Sequence, residues 1–145
     1  MSFILNHLRT SPPPVFSATR PLLPSSVPSS HLPLDPINYL GLAIDSVAPL
    51  IRIRSQKGGA GGGAALQIPV PLSVKQRRRQ AVQWILAVID KKQSRGSGKT
   101  MFAQRFADEI ISVVEGKSGV WDRRQLAHKT GTGARANLNK SSMRR

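Results

Sequence analysis

Two short alternating strands around a glycine-rich loop, between residues 50 and 71, constrain the fold of this chain most strongly. Ile51 and Ile53 fall on one face of the first strand, because successive strand side chains point to opposite faces. Arg52 and Arg54 therefore fall on the other face. The return strand carries two prolines that cannot donate ladder hydrogen bonds, so it belongs in a two-stranded ribbon or at a sheet edge. Five glycines in residues 56–64 suit the connecting loop. We predict a hairpin with one apolar face and one cationic face.

A helix before this hairpin is predicted by its start signal and its apolar spacing. Asp35 supplies an N-cap, and Pro36 supplies a preorganised first helical position. An apolar stripe with helical spacing follows, and Pro49 limits the helix at its other end. We expect the stripe to face the core; its residues are Ile37, Leu40, Ile44 and Val47.

A second helix follows the hairpin and begins at Ser73 and Gln76, which have capping-box spacing. Its first turns are cationic, which is the unfavourable sign at the positive end of a helix dipole. A local violation of this kind indicates function, because an external phosphate would offset the repulsion. The cations are Lys75, Arg77, Arg78 and Arg79, and the expected buried residues are Ala81, Val82, Ile85, Val88 and Ile89.

A third helix is predicted over residues 100–115, and Gly116 suits its C-terminal cap. A last basic segment, from Trp121 to Lys129, is predicted as a short helix. A basic flexible tail, broken by glycines, is expected over residues 131–145. The apolar stripe of the third helix consists of Phe102, Phe106, Ile110 and Val113.

The first 34 residues contain no acid and are rich in proline and serine. Prolines interrupt helices, so only Ser2 to Arg9 is expected to be helical, and residues 10–34 should form an extended surface connection. Two interpretations stay open for this segment: a mitochondrial presequence, or the end of a truncated first helix followed by a connection. Residues 35–130 then form the one domain, with about 90 residues available for a core.

The charge of the chain points to a polyanionic partner. Twenty-two Lys and Arg residues face seven Asp and Glu, which gives a formal charge of +15. The excess is concentrated late in the chain, where 17 of the basic residues lie from Lys75 onward. Such a balance predicts salt-dependent binding to a phosphate-rich surface, as in nucleic acids.

Catalytic, cofactor and membrane functions find little support in the residues. The chain has no cysteine and three scattered histidines, so we expect no metal or other cofactor. The acids form no paired catalytic pattern, and no apolar run approaches the length of a membrane span. Residues 96–100 resemble the end of a phosphate-binding P-loop, but Gln93 replaces its first glycine and a helix precedes it. We predict no enzyme activity and no small-molecule substrate.

Three ring side chains have alternative roles. His128 lies in a basic segment and is expected to contact phosphate or a base rather than act as a general base. Trp84 lies near the buried face of its helix and is expected in the core. For Trp121, burial in the core and stacking on a nucleic-acid base stay equally open.

Several short motifs, in unbroken order from about Asp35 to Arg135, resemble the family of small-subunit ribosomal protein seven. The resemblance is specific because unrelated motifs recur together at the family spacing. The motifs are Ala43-Ile44-Asp45-Ser46-Val47-Ala48-Pro49, Ile51-Arg52-Ile53-Arg54-Ser55, Gln67-Ile68-Pro69-Val70, Arg78-Arg79-Gln80-Ala81 with Trp84-Ile85, Lys99-Thr100-Met101, Arg105-Phe106-Ala107, Glu109-Ile110, Arg123-Arg124 with His128-Lys129, and Ala134-Arg135-Ala136.

The resemblance implies a mainly α fold, a helical bundle with a protruding two-stranded β-hairpin. It implies binding to the 3′ major domain of small-subunit rRNA, a role in assembly of the subunit head beside other head proteins, and mRNA and E-site tRNA nearby. Carried over by position, the rRNA-binding residues are Arg52, Arg54, Lys57, Lys75, Arg77, Arg78, Arg79, Arg123, Arg124, His128, Lys129 and Arg135.

Departures from the family pattern favour a mitochondrial ribosome. The family's basic N-terminal arm and its Gly-Lys-Lys helix start are absent, and the connection over residues 10–33 and the hairpin loop are long. Such expansions resemble fungal mitochondrial members, whereas a bacterial-type cytoplasmic ribosome is the alternative location. The alternative function is a basic DNA- or RNA-binding domain outside the ribosome.

Overall fold

Six α-helices and one hairpin make up the part of the chain that the structure, a computed structural model, describes: residues 1–24, 28–57, 65–92 and 101–142. This arrangement confirms the predicted mainly α bundle with a two-stranded hairpin. The elements are α1 (Ser2–Thr10), a short 3₁₀ helix (Ser29–Leu34), α2 (Pro36–Val47), β1 (Ile51–Gln56), β2 (Leu66–Pro71), α3 (Val74–Ile89), α4 (Met101–Val114), α5 (Val120–Gly133) and α6 (Asn137–Ser142).

The core lies where the first five α-helices meet. Each contributes at least one side chain that is fully buried, and their removal from water is the main favourable contribution to folding. No helix within the described ranges is both long enough and apolar enough to cross a membrane. The largest core side chains include Leu8, Tyr39, Ile85, Ile110 and Val120.

The hairpin has the predicted strands and the predicted faces. The strands are antiparallel, with Ile51 opposite Pro71 and Gln56 opposite Leu66. Arg52 and Arg54 are exposed, whereas Ile51 and Ile53 are half-buried, as alternation requires. Most of the predicted glycine-rich loop, residues 58–64, lies outside the described part of the chain.

The buried face of α2 differs from the predicted one. Ile37 is 70% exposed, and Leu40 and Ile44 are only half-buried. Of the predicted stripe only Val47 is fully buried, because the helix packs against α1, α3 and α4 and these neighbours together decide its rotation. The three displaced residues line a shallow groove beside Val82 of α3. The buried residues are Tyr39, Ala43, Ser46 and Val47.

The predictions for α3 and α4 are correct in their main features. Ala81, Ile85 and Ile89 of α3 are buried, while Val82 and Val88 are partly buried. In α4, Ile110 and Val113 are buried, but Phe102 is 43% exposed. The prediction that Phe102 belongs to the buried stripe is wrong, because this residue lies in the first turn of α4, at the edge of the bundle.

Gly116 ends α4 in the left-handed conformation, with φ +75°, which confirms its predicted role as a cap. The connection before α2 crosses this turn. Arg20 donates to the Gly116 carbonyl at 2.8 Å and to Asp122 at 2.6 Å. The connection is not extended throughout: the chain bends at residues 18–20, and Ser29–Leu34 form a 3₁₀ helix with Leu32 buried.

The last basic segment forms α5, which is longer than predicted, and part of the tail that was expected to be flexible is helical. Helix α5 does not stop near Lys129 but continues through Gly133, and a further helix follows at Asn137–Ser142. Only glycine fits at position 131 because the helix backbone there lies against the hairpin: a Cβ would lie 1.9 Å from Cδ1 of Ile51. Asn137 attaches the last helix to the hairpin by donating to the Gln67 carbonyl at 2.8 Å.

Candidate nucleic-acid interface

The cationic start of α3 is held in place by the predicted capping box. The Gln76 N–H donates to the Ser73 hydroxyl at 3.5 Å, and the Ser73 N–H donates to the Gln76 side chain at 3.2 Å. No acid lies in the first turn. The helix therefore presents exposed cations at its positive end, which is a suitable arrangement for binding phosphate.

A polar cleft of about 330 Å³ separates β1 from α3. Arg52 contributes one wall and Arg79 the other, so the structure brings together one cation from the hairpin and one from the helix start. Arg54 is two residues further along the same exposed face of β1. Three glutamines of α3 also line the cleft, namely Gln76, Gln80 and Gln83.

These glutamines were missed by the sequence analysis, although their spacing contains the signal. Positions separated by four and three residues share a helix face. Each amide offers donors and an acceptor, so the cleft can contact sugar and base edges as well as phosphate.

A second group of basic side chains lies where α3, α5 and the residues before β1 meet. Arg77 donates from Nε to the Pro49 carbonyl at 3.2 Å, and the Leu50 N–H donates to Nε2 of His128 at 3.0 Å. The guanidinium of Arg124 lies over the Trp121 ring, 5.9 Å from its centroid. We call Arg77, Arg124 and His128 the junction cluster.

The surroundings of Arg124 and His128 disfavour the charged forms of these two side chains. Burial lowers the pKa of Arg124, and the nearby charge of Arg77 lowers it further. Burial also lowers the pKa of His128, with further contributions from Arg124 and Arg77. Positive charge is therefore concentrated in the cluster, and a bound anion would reduce the repulsion within it.

Trp121 and Trp84 lie on the core side of these groups. Trp121 is 3% exposed, and its Nε1 donates to the Val113 carbonyl at 2.9 Å, which decides between the two open roles in favour of the core. Trp84 is partly buried and packs against the core, as expected. Trp121 is therefore not free to stack on a base as it stands.

Arg78 is turned away from its two neighbours. It makes two parallel hydrogen bonds to Asp45 on α2, at 2.7 and 2.8 Å. The hydrogen bond and charge of Asp45 raise the pKa of Arg78. Of the three consecutive arginines, Arg78 alone is neutralised within the described chain.

The remaining predicted site residues are separate from the cleft and the junction cluster in their contacts. Lys57 lies at the start of the hairpin turn, and Arg135 follows α5. In the described ranges, none of these side chains makes a hydrogen bond or an ion pair with another described residue. They are Lys57, Lys75, Arg123, Lys129 and Arg135.

The acids of the chain are used elsewhere. Within the described residues, Arg78 is the one predicted site residue that takes part in an ion pair. The other pairs lie in the bundle and its connections, and no Asp or Glu occurs in the segments outside the described ranges. The predicted site therefore keeps a large uncompensated positive charge. The other pairs are His7–Asp108, Arg20–Asp122, Lys92–Glu109 and Lys117–Glu115.

The described residues hold no cluster suited to a metal ion, and the candidate nucleotide loop lies outside them. No group of three or more potential metal-binding side chains is found in the described part of the chain. The loop with Lys99 lies outside the described residues, and the segment before it is the helix α3 rather than a strand.

Comparison with known proteins supports the resemblance carried by the motifs. The family model described as "Ribosomal protein S7p/S5e" matches residues 26–135. The small ribosomal subunit protein uS7m of Neurospora crassa is 58% identical over 143 residues, which cover 99% of this chain and 46% of that protein. The small ribosomal subunit protein uS7 of Saccharophagus degradans is 30% identical over 101 residues, or 70% of this chain and 60% of that protein. The chain thus spans about half the length of the fungal relative.

Proposed function

The chain belongs to the ribosomal protein S7p/S5e family, and we propose on that premise that it is a structural component of the small ribosomal subunit. It binds the 3′ major domain of small-subunit rRNA and supports assembly of the subunit head. Its partners are that rRNA and neighbouring head proteins, with mRNA and E-site tRNA close by. The family is one of structural proteins, and the proposed role requires no catalysis.

The carrying observation is the set of unpaired cations around the hairpin and the start of α3. Arg52 and Arg79 face each other across the polar cleft, and neither has an acidic partner in the described residues. Folding concentrates these charges although acids are available in the same chain. RNA phosphates would neutralise them, with release of counterions.

The proposed location is the mitochondrial ribosome. The support is the 58% identity to the uS7m protein of Neurospora crassa, compared with 30% to the bacterial protein. The full-length protein should then co-sediment with the mitochondrial small subunit after cell fractionation. Co-sedimentation with cytoplasmic subunits would favour the bacterial-type alternative.

Binding to the rRNA domain is tested with two variants of equal charge. A triple variant, Arg52→Gln, Arg54→Gln and Arg79→Gln, removes cations of the proposed surface. The control variant, Arg9→Gln, Lys91→Gln and Lys117→Gln, removes three exposed cations from other places. We expect the first variant to flatten the slope of log affinity against log salt by about 2 to 3 units and the control to change it little.

The same measurement separates the proposal from a general nucleic-acid binder. The chain should bind a transcript of the 3′ major domain more tightly than duplex DNA or an unrelated RNA of equal length at equal salt. Equal affinity for all three would contradict the ribosomal assignment and support the alternative of a basic domain outside the ribosome.

A further inference from the structure

The junction cluster differs from the exposed cations because its two arginines are already held in place. Arg77 is fixed by its hydrogen bond to the Pro49 carbonyl, and Arg124 is fixed against Trp121. Trp121 is itself buried and bonded to α4. An anion that binds here would order few side chains, and this lowers the entropic cost of binding.

Arg124 also has an unsatisfied donor. Its Nε is buried, and no hydrogen-bond partner for it is present in the described part of the chain. A buried donor without a partner costs free energy, and the proximity of Arg77 adds like-charge repulsion. The folded protein thus keeps an arrangement that is unfavourable on its own and becomes favourable when an anion is bound.

We propose that Arg77 and Arg124 form a preformed socket for one phosphate group of RNA, at the junction of α3, α5 and the residues before β1. A phosphate can accept hydrogen bonds from two guanidinium groups at once, through separate oxygens. The proposal rests on the proposed function for the source of the phosphate. It adds that these two arginines act as a unit and that each contributes more to binding than an exposed cation does.

The socket is also joined to the hairpin. Arg77 holds the Pro49 carbonyl, and His128, one turn after Arg124, holds the Leu50 N–H. Pro49 and Leu50 immediately precede β1. A phosphate bound between the arginines therefore binds next to the base of the hairpin and helps to hold it against α5.

The test begins with inorganic phosphate and the full chain, without RNA. Thermal unfolding is measured in increasing phosphate, with chloride as the reference salt at constant ionic strength. We expect phosphate to raise Tm in the unmodified chain, because an anion that binds only the folded state stabilises it. The increase should disappear in Arg124→Met, which keeps an apolar contact with Trp121, and in Arg77→Gln, but persist in the charge-matched control Arg9→Gln, which removes an exposed arginine outside the predicted site.

Arg124→Met should also raise Tm in the absence of phosphate, because it removes a buried charge and an unsatisfied donor. Its affinity for the 3′ major domain should fall about tenfold to hundredfold, against about threefold or less for Arg9→Gln, which removes the same charge elsewhere.

Equal effects of Arg124→Met and Arg9→Gln on both phosphate stabilisation and RNA affinity would overturn the socket and leave the ribosomal function standing. Failure of the unmodified chain to prefer the rRNA domain would instead contradict the proposed function. The phosphate titration would still decide whether the socket exists. If Arg124→Met unfolds, Arg124→Lys serves as the second variant: it keeps the charge but lacks the guanidinium, so unchanged phosphate stabilisation in Arg124→Lys would overturn the proposal.

Discussion

Nε2 of His128 accepts a hydrogen bond from the backbone N–H of Leu50 at 3.0 Å, and this contact joins α5 to the residue before β1. A backbone N–H can only donate, so Nε2 must be unprotonated and the imidazole neutral. Protonation of His128 would therefore break the contact and place a third positive charge beside Arg124 and Arg77.

This contact predicts that stability falls at mildly acidic pH. Burial, followed by Arg124 and Arg77, lowers the pKa of His128 below its value of 6.5 in the unfolded chain. The unfolded state then binds a proton before the folded state does. The contribution of His128 is fully present above pH 6.5 and is lost as the pH falls from there toward the folded pKa.

The measurement is thermal unfolding between pH 7.5 and 5 for the unmodified chain and for His128→Gln, whose amide oxygen can accept a hydrogen bond but does not titrate. The chain contains two other histidines, so the difference between the two curves isolates His128. The curve should be flatter in the variant. Parallel curves would contradict the assignment.

A second prediction concerns Gly131. The absence of a Cβ leaves room for Ile51: a Cβ at this position would lie only 1.9 Å from Cδ1 of Ile51. Gly131→Ala should destabilise the fold by about 1–3 kcal/mol through overpacking between α5 and β1. Gly133→Ala is the matched control in the same helix, since no other atom lies within 4 Å of its Cβ position. Denaturant unfolding should show no loss of stability in the control.

Ile51→Val provides a rescue, because valine lacks the clashing Cδ1 atom. The double variant Gly131→Ala with Ile51→Val should be more stable than the sum of the two single effects predicts. Strict additivity would contradict a direct clash between these residues.

Local signals explain which elements could be predicted from the sequence. Asp35 caps α2, Ser73 caps α3 and Gly116 ends α4, as expected. In each case the residue and the backbone group that it satisfies lie within a few positions of each other. The alternation of Ile51 and Arg52 is likewise a property of neighbouring residues.

Features that depend on distant partners could not be predicted in this way. Both Ile37 and Tyr39 belong to plausible apolar faces of α2, and only packing against the neighbouring helices α1, α3 and α4 selects the face with Tyr39. The glycine at position 131 looked like a helix breaker because its partner, Ile51, is 80 positions away.

The site shows the same division. Its cations and its positions on the hairpin, α3 and α5 could be read from the sequence, but the separate environments of the three consecutive arginines could not. Successive helical residues point about 100° apart. Arg77 therefore reaches Pro49, Arg78 reaches Asp45, and Arg79 lines the cleft.

A third prediction concerns the buried carboxylate of Glu109, which is 1% exposed. The Ser118 hydroxyl donates to it at 2.5 Å and accepts from the Val120 N–H at 3.1 Å, while Lys92 supplies the opposite charge. Ser118→Ala should reduce the free energy of unfolding by about 1.5–3 kcal/mol, the range for a hydrogen bond to a charged group.

Ser112→Ala is the control for this change, because the Ser112 hydroxyl donates to the exposed carbonyl of Asp108 instead of a buried charge. Both variants should be compared by urea unfolding. Equal losses of unfolding free energy in the two variants would show that the Ser118 hydroxyl does not specifically stabilise the buried carboxylate of Glu109.

The last prediction uses the unequal environments of Arg78 and Arg79. Asp45 already neutralises Arg78, whereas Arg79 faces the polar cleft without an acidic partner in the described residues. Arg79→Gln should therefore weaken binding to the 3′ major domain more than Arg78→Gln does, although both remove one charge from the same helix turn. Asp45→Asn removes the competing carboxylate and should strengthen binding. It should also steepen the slope of log affinity against log salt by up to about 1 unit. Equal effects of the two arginine variants, together with an unchanged slope in Asp45→Asn, would mean that Asp45 does not compete with RNA for Arg78.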